Sequence, residues 1–353
     1  GGTAAQTRTG GGRVNPESSK NVRFGVLFSG AFPLMRALDG SVLADKLGFD
    51  SAWFGEDYFY WGGIATGTAV AERTEHLTIG LGILTPLTRH PALTVMETAA
   101  LDHISGGRLV MGYAAGVRYW MNQMKLDYSS PITALREAVA ISRALYRGET
   151  ITTDGRFYSL DKVKLNFPVL RTEPPIYLGV EGPKMLTLSG EIADGTVLSV
   201  LASPTYVKWA WERVREGCAI SGRDPDAQKM VVYVIFAMDD DGDAARDAVR
   251  ANIAEYLGGG GRPTPISQHG GVPDETMMEM GRIYREGRFP TELVTDEIVN
   301  GCAIAGTPDE CKASIQALVD AGADEIVFIP FPPEKTEESV ERIAKELMPA
   351  FRA

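Results

Sequence analysis

"LTIGLGILTPLTRHPALTVMETAALDHISGGRLVMGYAA" (residues 77–115) contains three structural patterns in one run. Residues 77–84 are mostly branched and apolar, which predicts a buried strand. Residues 92–105 place apolar side chains at helical spacing, and the glycine pair that follows predicts the end of the helix. Residues 108–115 are again apolar and predict a second strand. A strand, a helix and a strand in this order indicate a parallel βαβ unit.

The same alternation continues along most of the chain. Each predicted strand is followed by a predicted helix, and eight such pairs in 353 residues predict an α/β fold, a TIM (β/α)8 barrel with insertions. An open doubly wound sheet is the alternative, but no G-x-G-x-x-G motif follows the first strand. The predicted strands are 22–29, 51–56, 77–84, 108–115, 175–180, 196–200, 230–238 and 325–331.

We expect a single barrel domain over residues 21–353. Residues 1–20 are rich in glycine, threonine and serine and are expected to form a flexible N-terminal arm. Asp154-Gly155, between alternating β-formers, predicts a hairpin insertion at about 150–165. Residues 258–300 are expected to form a lid-like insertion that selects the substrate, although their methionines are equally typical of internal packing or of a dimer surface.

Charge and composition narrow the class of partner. The formal net charge is −11 without a basic block, which argues against a nucleic-acid or anionic membrane partner. No apolar run approaches the roughly 20 residues of a membrane helix, and the first residues do not resemble a signal peptide. Neither the three cysteines nor the four histidines have metal-ligand spacing, so no metal is expected. The composition predicts a cytoplasmic protein that acts on a small molecule.

In barrels of this type, functional residues lie where the strands end, and the second strand ends in two adjacent carboxylates. Glu56 and Asp57 are followed by three aromatic residues and Trp61. Adjacent carboxylates can repel each other and raise the pKa of one of them into the range useful for acid–base catalysis. The alternative is a loop whose acids face water.

Three further strand ends have features of a binding site. "GVEGPK" (179–184) combines glycines, the start of a helix and a lysine, which suits an anion, although it also fits a tight turn with Pro183 at the first helical position. Ala115 and Gly116 leave room for a flat molecule, or for a closely packed helix. At Gly82-Ile83, a glycine near the end of an otherwise branched strand predicts a β-bulge or a cis non-prolyl bond.

Four segments together resemble the luciferase-like monooxygenase superfamily, in particular its coenzyme F420-dependent, methylenetetrahydromethanopterin reductase-like branch. The resemblance extends from about residue 22 to the C-terminus and includes "GLGILTPLTRHP", "SGGRLVMGYAAG", "YLGVEGPKMLTLSGEIADGTVLS" and "GTPDECKASIQALVDAGADEIVFIPF". It implies a TIM-type barrel, commonly homodimeric, that holds 8-hydroxy-5-deazaflavin (coenzyme F420) at the strand carboxyl ends.

The resemblance also implies roles for individual residues. A bulge in the third strand would support the cofactor ring from behind, and two turns would hold the rest of the cofactor. The implied cofactor-binding residues are Gly82, Ile83, Thr85, Ala115, Gly116, Gly179, Val180, Glu181, Gly182 and Pro183.

The implied catalytic residues follow the second strand. Sugar-phosphate and alcohol dehydrogenases of this branch have an Asp-His pair followed four residues later by Trp, which matches Glu56, Asp57 and Trp61. This chain has Asp57 where those enzymes have the histidine, and Val117 where they have an acid after the fourth strand. The sugar-phosphate substrate is therefore not transferred to this chain.

These residues predict an F420-dependent oxidoreductase that moves hydride from reduced deazaflavin to an activated C=C, C=N or C=O bond of a small molecule, or the reverse. Asp57 or Glu56 would handle the proton, and Trp61 would wall the substrate pocket against the ring. The first alternative is a monooxygenase dependent on reduced FMN. The second is a barrel that binds a cofactor without turnover.

Overall fold

Eight parallel strands close into a barrel in the computed structural model, which describes residues 21–352. The order around the barrel is β1-β2-β3-β4-β7-β8-β9-β11, and β11 pairs with β1. The predicted TIM barrel is therefore confirmed. The strands are β1 (Arg23–Phe28), β2 (Ser51–Phe54), β3 (Thr78–Leu84), β4 (Leu109–Ala114), β5 (Ile151–Asp154), β6 (Ser159–Val163), β7 (Ile176–Gly179), β8 (Gly195–Leu198), β9 (Lys229–Met238), β10 (Ala303–Gly306) and β11 (Glu325–Pro330).

Helices follow the barrel strands and cover the outside of the barrel. Several begin at a residue whose side chain accepts a backbone N–H, as Ser203, Asp241 and Thr307 do. The helices are α1 (Leu34–Lys46), α2 (Gly63–Arg73), α3 (Pro91–Ile104), α4 (Arg118–Gln123), α5 (Pro131–Tyr146), α6 (Pro183–Ile192), α7 (Pro204–Ser221), α8 (Gly242–Gly260), α9 (Pro265–His269), α10 (Asp274–Arg285), α11 (Asp296–Cys302), α12 (Pro308–Ala321) and α13 (Thr336–Arg342).

The glycines of β3 make room for aromatic side chains inside the barrel. A Cβ atom on Gly80 would lie 2.2 Å from the indole of Trp53. A Cβ atom on Gly82 would lie 1.9 Å from the hydroxyl oxygen of Tyr233 and 2.7 Å from Trp53. Because Trp53 is fully buried, larger residues at these positions of β3 would displace it.

The buried carboxylate of Glu325 connects β1, β2 and β11 at the amino ends of the strands, opposite the predicted site. Glu325 accepts hydrogen bonds from the Trp53 indole N–H at 3.0 Å and from the Ser51 hydroxyl. Arg23 donates to its second oxygen at 3.2 Å. Both oxygens of this carboxylate are therefore paired, so the buried charge is not left uncompensated.

Two segments extend the barrel. β5 and β6 pair antiparallel, and the hydroxyl of Tyr158 in this hairpin donates to the backbone oxygen of Pro86, in the loop after β3, at 2.7 Å. Residues 258–300 contain the end of the predicted helix α8 and then α9, α10 and most of α11, and these last three helices were not predicted. Met277 and Met280 are buried where α10 packs against α8, so these two methionines serve internal packing.

The expected flexible arm, residues 1–20, lies outside the described residues. Within residues 21–352, no helix has the length and apolar character needed to span a membrane.

Candidate active site at the carboxyl ends of the strands

The end of β3 departs from regular strand geometry. Its pairing with β4 shifts register between Leu81 and Leu84, and the Gly82–Ile83 peptide is cis, so the predicted irregularity is confirmed. The half-buried Ile83 side chain lies against the neighbouring strands. A Cβ on Gly112 would lie 2.9 Å from it, and a Cβ on Gly179 2.6 Å. Gly112 and Gly179 therefore leave room for the Ile83 side chain, which presents an aliphatic surface across β3, β4 and β7.

The turn after β4 is held from both sides. Gly116 has φ +81°, a conformation that glycine adopts at little cost. The Thr85 hydroxyl donates to the backbone oxygen of Ala115 at 3.3 Å, and the Tyr128 hydroxyl donates to that of Gly116 at 3.0 Å. Thr85 itself is buried, so its side chain positions this turn.

The turn after β7 leads into a helix whose first amides are open. Gly182 is the N-cap of α6 and supplies no side-chain cap, and a Cβ placed on it would have open space around it. Pro183 occupies the first helical position, and the exposed Lys184 follows it. Helix amides next to a lysine are a suitable site for an anion. Val180, by contrast, has its side chain buried in the core.

Asp57 lies at the barrel mouth beside the β3 bulge. Its carboxylate accepts the backbone N–H of Gly30, at the end of β1. A Cβ on Gly55 would lie 3.7 Å from Asp57 Oδ2 and 3.5 Å from the backbone oxygen of Gly82. Gly55, the Asp57 carboxylate and the backbone oxygen of Gly82 are therefore close neighbours. Burial raises the pKa of Asp57, and the hydrogen bond from Gly30 opposes that shift.

Glu56 is engaged in a different set of contacts. Its carboxylate pairs with Arg89 at 3.3 Å and accepts the Tyr58 hydroxyl at 3.3 Å. The predicted cause of the Asp57 pKa shift, repulsion by Glu56, is therefore wrong: the charge of Glu56 is compensated by Arg89, and desolvation of Asp57 is what raises its pKa. Of the two acids, Asp57 is the one suited to proton transfer.

Trp61 lies on the β1 side of the mouth. Its backbone N–H donates to the backbone oxygen of Gly30 at 3.4 Å, and its side chain is 54% exposed. It lines a narrow crevice together with Phe28, Gly30 and Phe54.

Sequence patterns missed three residues that shape the site: Gly30, Arg89 and Tyr233. The Tyr233 hydroxyl, in the middle of β9, donates to the backbone oxygen of Gly82 at 3.4 Å. One signal was present, because Tyr233 is the single hydroxyl-bearing residue in an otherwise apolar run, "MVVYVIFAM". Gly30 and Arg89 had no comparable signal.

His90 begins α3 and is not free to act at the site. Its Nδ1 accepts the backbone N–H of Ala92 at 3.1 Å, which requires the neutral ring, and burial lowers the pKa of His90 from its usual 6.5.

The neutral His90 cap contributes stability that is complete above pH 6.5 and is lost as pH falls through the lowered folded-state pKa. We expect the urea midpoint of the wild-type protein to fall more steeply below this pH than that of His90→Asn, because asparagine caps helices without titrating. Urea unfolding across a pH series measures this difference, and parallel profiles for the two proteins would contradict it.

The chain is similar to known proteins over nearly its whole length. Residues 2–325 match the family model of luciferase-like monooxygenases. The chain is 31% identical over 329 residues to a 5,10-methylenetetrahydromethanopterin reductase of Methanolobus tindarius, which covers 92% of this chain and 99% of that protein. It is 27% identical over 348 residues to an F420-dependent glucose-6-phosphate dehydrogenase of Nakamurella multipartita, covering 94% and 97% respectively.

A solved structure shares the fold. The coenzyme F420-dependent tetrahydromethanopterin reductase of Methanopyrus kandleri superimposes with a TM-score of 0.85 at 26% identity, covering 94% of this chain and 100% of that one. With the family match over most of the chain and a barrel that aligns along its length, this protein belongs to the luciferase-like monooxygenase family.

Proposed function

We propose that this chain is an F420-dependent oxidoreductase that transfers hydride between reduced deazaflavin and an activated C=C, C=N or C=O bond of a small molecule. The main support is the juxtaposition of Asp57 with the irregular end of β3, next to the place where Ile83 packs over Gly112 and Gly179. Relatives named for F420-dependent activity align with this chain over most of its length.

The residues at the mouth fit a deazaflavin. A planar tricycle needs an apolar wall, and the half-buried Ile83 side chain provides one, because the missing Cβ atoms of Gly112 and Gly179 leave it room to lie across β4 and β7. The anionic tail of the cofactor needs donors and positive charge, and the open amides of α6 with Lys184 provide both. When bound, the cofactor supplies a carbon centre that exchanges hydride and reacts little with oxygen.

The chain's own acid would complete the reaction. Asp57, with its pKa raised by burial, is able to hold a proton on its carboxylate and give it to the substrate atom next to the one that receives hydride. The Glu56–Arg89 pair and the Tyr58 hydroxyl fix the loop in which Asp57 lies. Trp61 would contact the substrate from the β1 side.

The FMN-dependent alternative has less support. A histidine near the flavin would be the expected partner in that chemistry, and His90, which follows the β3 turn, is committed to capping α3.

Two measurements test the cofactor and the activity. We expect the fluorescence of oxidised deazaflavin to change on titration with the protein and that of FMN to stay constant. We also expect stereospecific transfer of deuterium from labelled reduced deazaflavin to an acceptor. Tight binding of FMN alone would contradict the cofactor assignment, and deazaflavin binding without transfer would favour a non-catalytic barrel.

We further propose that residues 258–300 act as a lid over the mouth of the single barrel domain. One observation supports this lid: Tyr256, in α8 just before the segment, has a pKa raised by desolvation and then by the charge of Asp57, as expected if this end of α8 is near the mouth.

A cytoplasmic homodimer is also proposed. Support for the dimer comes from α3, whose exposed side includes Leu93, Met96 and Ile104, each about half exposed. Support for the cytoplasm comes from the three cysteines, which are all free.

A further inference from the structure

Four large aromatic side chains are exposed at the mouth, three on the loop after β2 and one in α4, which follows β4. Phe59, Tyr60 and Trp61 follow β2 and are 66%, 61% and 54% exposed, and Tyr119 follows β4 and is 67% exposed. We refer to these four residues as the aromatic rim. Single exposed apolar residues are ordinary, but several together beside a candidate active site mark a binding surface.

Contacts beneath the rim connect the loop after β2 to neighbouring segments. Tyr58 and Trp120 contact each other edge to face, with ring centroids 5.8 Å apart, and so connect the loop after β2 with α4. The Tyr58 hydroxyl is within 3.1 Å of the Thr88 hydroxyl. A surface that is already ordered loses little conformational entropy on binding. Burial of its aromatic area therefore contributes more fully to the free energy of binding.

The charges around the rim nearly balance, so they offer no net positive charge to an anionic substrate. Glu56, at the start of the loop that carries three of the rim residues, shares its cation Arg89 with Glu97, so this group of side chains carries one excess negative charge. Arg89 is engaged by Glu56 at 3.3 Å and by Glu97 at 3.2 Å. Arg118, an exposed cation beside Tyr119, lies over the ring of Tyr128, 4.4 Å from its centroid, and its charge offsets this excess. The open amides and Lys184 lie apart from this loop, at the start of α6, where we place the cofactor tail.

We propose that the aromatic rim is the substrate subsite and that it binds an uncharged, planar, largely apolar molecule whose reactive bond reaches Asp57. This inference rests on the function proposed above and names its substrate class. A flat ring system would stack on aromatic side chains, and the absence of charge would avoid repulsion by the carboxylates of the mouth.

The test compares two probes that share one ring system, naphthoquinone and naphthoquinone sulfonate. Binding to the intact chain is measured by quenching of tryptophan fluorescence and by equilibrium dialysis. We expect naphthoquinone to bind at least about tenfold more tightly than its sulfonate. Tyr119→Ala and Phe59→Ala should each raise the Kd of naphthoquinone about threefold to tenfold.

Ile220→Ala is the matched control, because Ile220 is 68% exposed near the end of α7, at the other end of the barrel. This variant should leave the Kd of naphthoquinone unchanged. Equal affinity for both probes, or rim variants that bind naphthoquinone normally, would overturn the proposal. Rim variants that change only the sedimentation mass would overturn it as well, since the rim would then be a subunit contact.

Titration of the same proteins with deazaflavin separates the two proposals. Normal deazaflavin binding by Tyr119→Ala, together with weakened naphthoquinone binding, supports both. If the wild-type chain binds naphthoquinone through the rim but does not bind deazaflavin, the proposed cofactor fails while the aromatic subsite stands.

Discussion

Asp57→Asn will lower kcat by about 10²- to 10⁴-fold, the usual loss when a general acid or base is removed, while deazaflavin affinity stays close to that of the wild-type protein. The amide keeps the shape of the carboxyl group and is still able to accept the N–H of Gly30, so the loop is expected to remain in place. Steady-state kinetics with a deazaflavin titration measure both quantities. An unchanged kcat would show that Asp57 does not handle the proton.

The same substitution is expected to stabilise the protein. Because burial raises the folded-state pKa of Asp57 above its usual 3.8, ionising this group costs stability. That cost appears as pH rises from the pKa of Asp57 in the unfolded chain to its higher pKa in the folded protein. It is fully present above the higher value. Asp57→Asn should therefore have a higher urea midpoint than the wild-type protein at neutral pH, and the difference should shrink in acid.

Glu56→Gln is the matched control for Asp57→Asn. It removes the charge that Arg89 pairs with but leaves Asp57 intact. We expect this variant to lose stability and to keep the pH dependence of kcat. A large loss of kcat in Glu56→Gln alone would transfer the acid–base role to Glu56.

Gly82→Ala will lower the free energy of unfolding by about 1–3 kcal/mol, the range found for overpacked cores, and will abolish deazaflavin binding. The added methyl group would lie 1.9 Å from the Tyr233 hydroxyl oxygen and 2.7 Å from Trp53, so both rings or the end of β3 must move. Movement of β3 would shift Ile83 away from Gly112 and Gly179. Urea unfolding and deazaflavin titration measure the two effects.

Two further proteins control this experiment. Tyr233→Phe removes the oxygen that the new methyl group would meet most closely, so Gly82→Ala with Tyr233→Phe should recover part of the lost stability. Gly260→Ala makes the same chemical change at the exposed end of α8, where a Cβ meets open space, and should leave stability unchanged or slightly raised. Equal losses at Gly82 and Gly260 would contradict the packing explanation.

Local patterns in the sequence were enough to predict the barrel and the place of its irregular strand. The order of strands and helices follows from short-range hydrophobic periodicity, which depends on neighbours along the chain. The glycine at position 82 was visible for the same reason, because its residue type is unusual for a strand. The family resemblance added the expected cofactor and the turns after β4 and β7.

Contacts between distant parts of the chain decided the rest. The partner that makes Gly82 necessary, Tyr233, lies 151 positions away, and the Arg89 that neutralises Glu56 lies 33 positions away. The raised pKa of Asp57 likewise depends on how deeply the closed barrel buries its carboxylate. The sequence alone determined which elements form and where a site would lie, because periodicity and residue type are local properties. Only the tertiary structure decided which acid is desolvated and which is paired, because burial and ion pairing arise when remote segments meet.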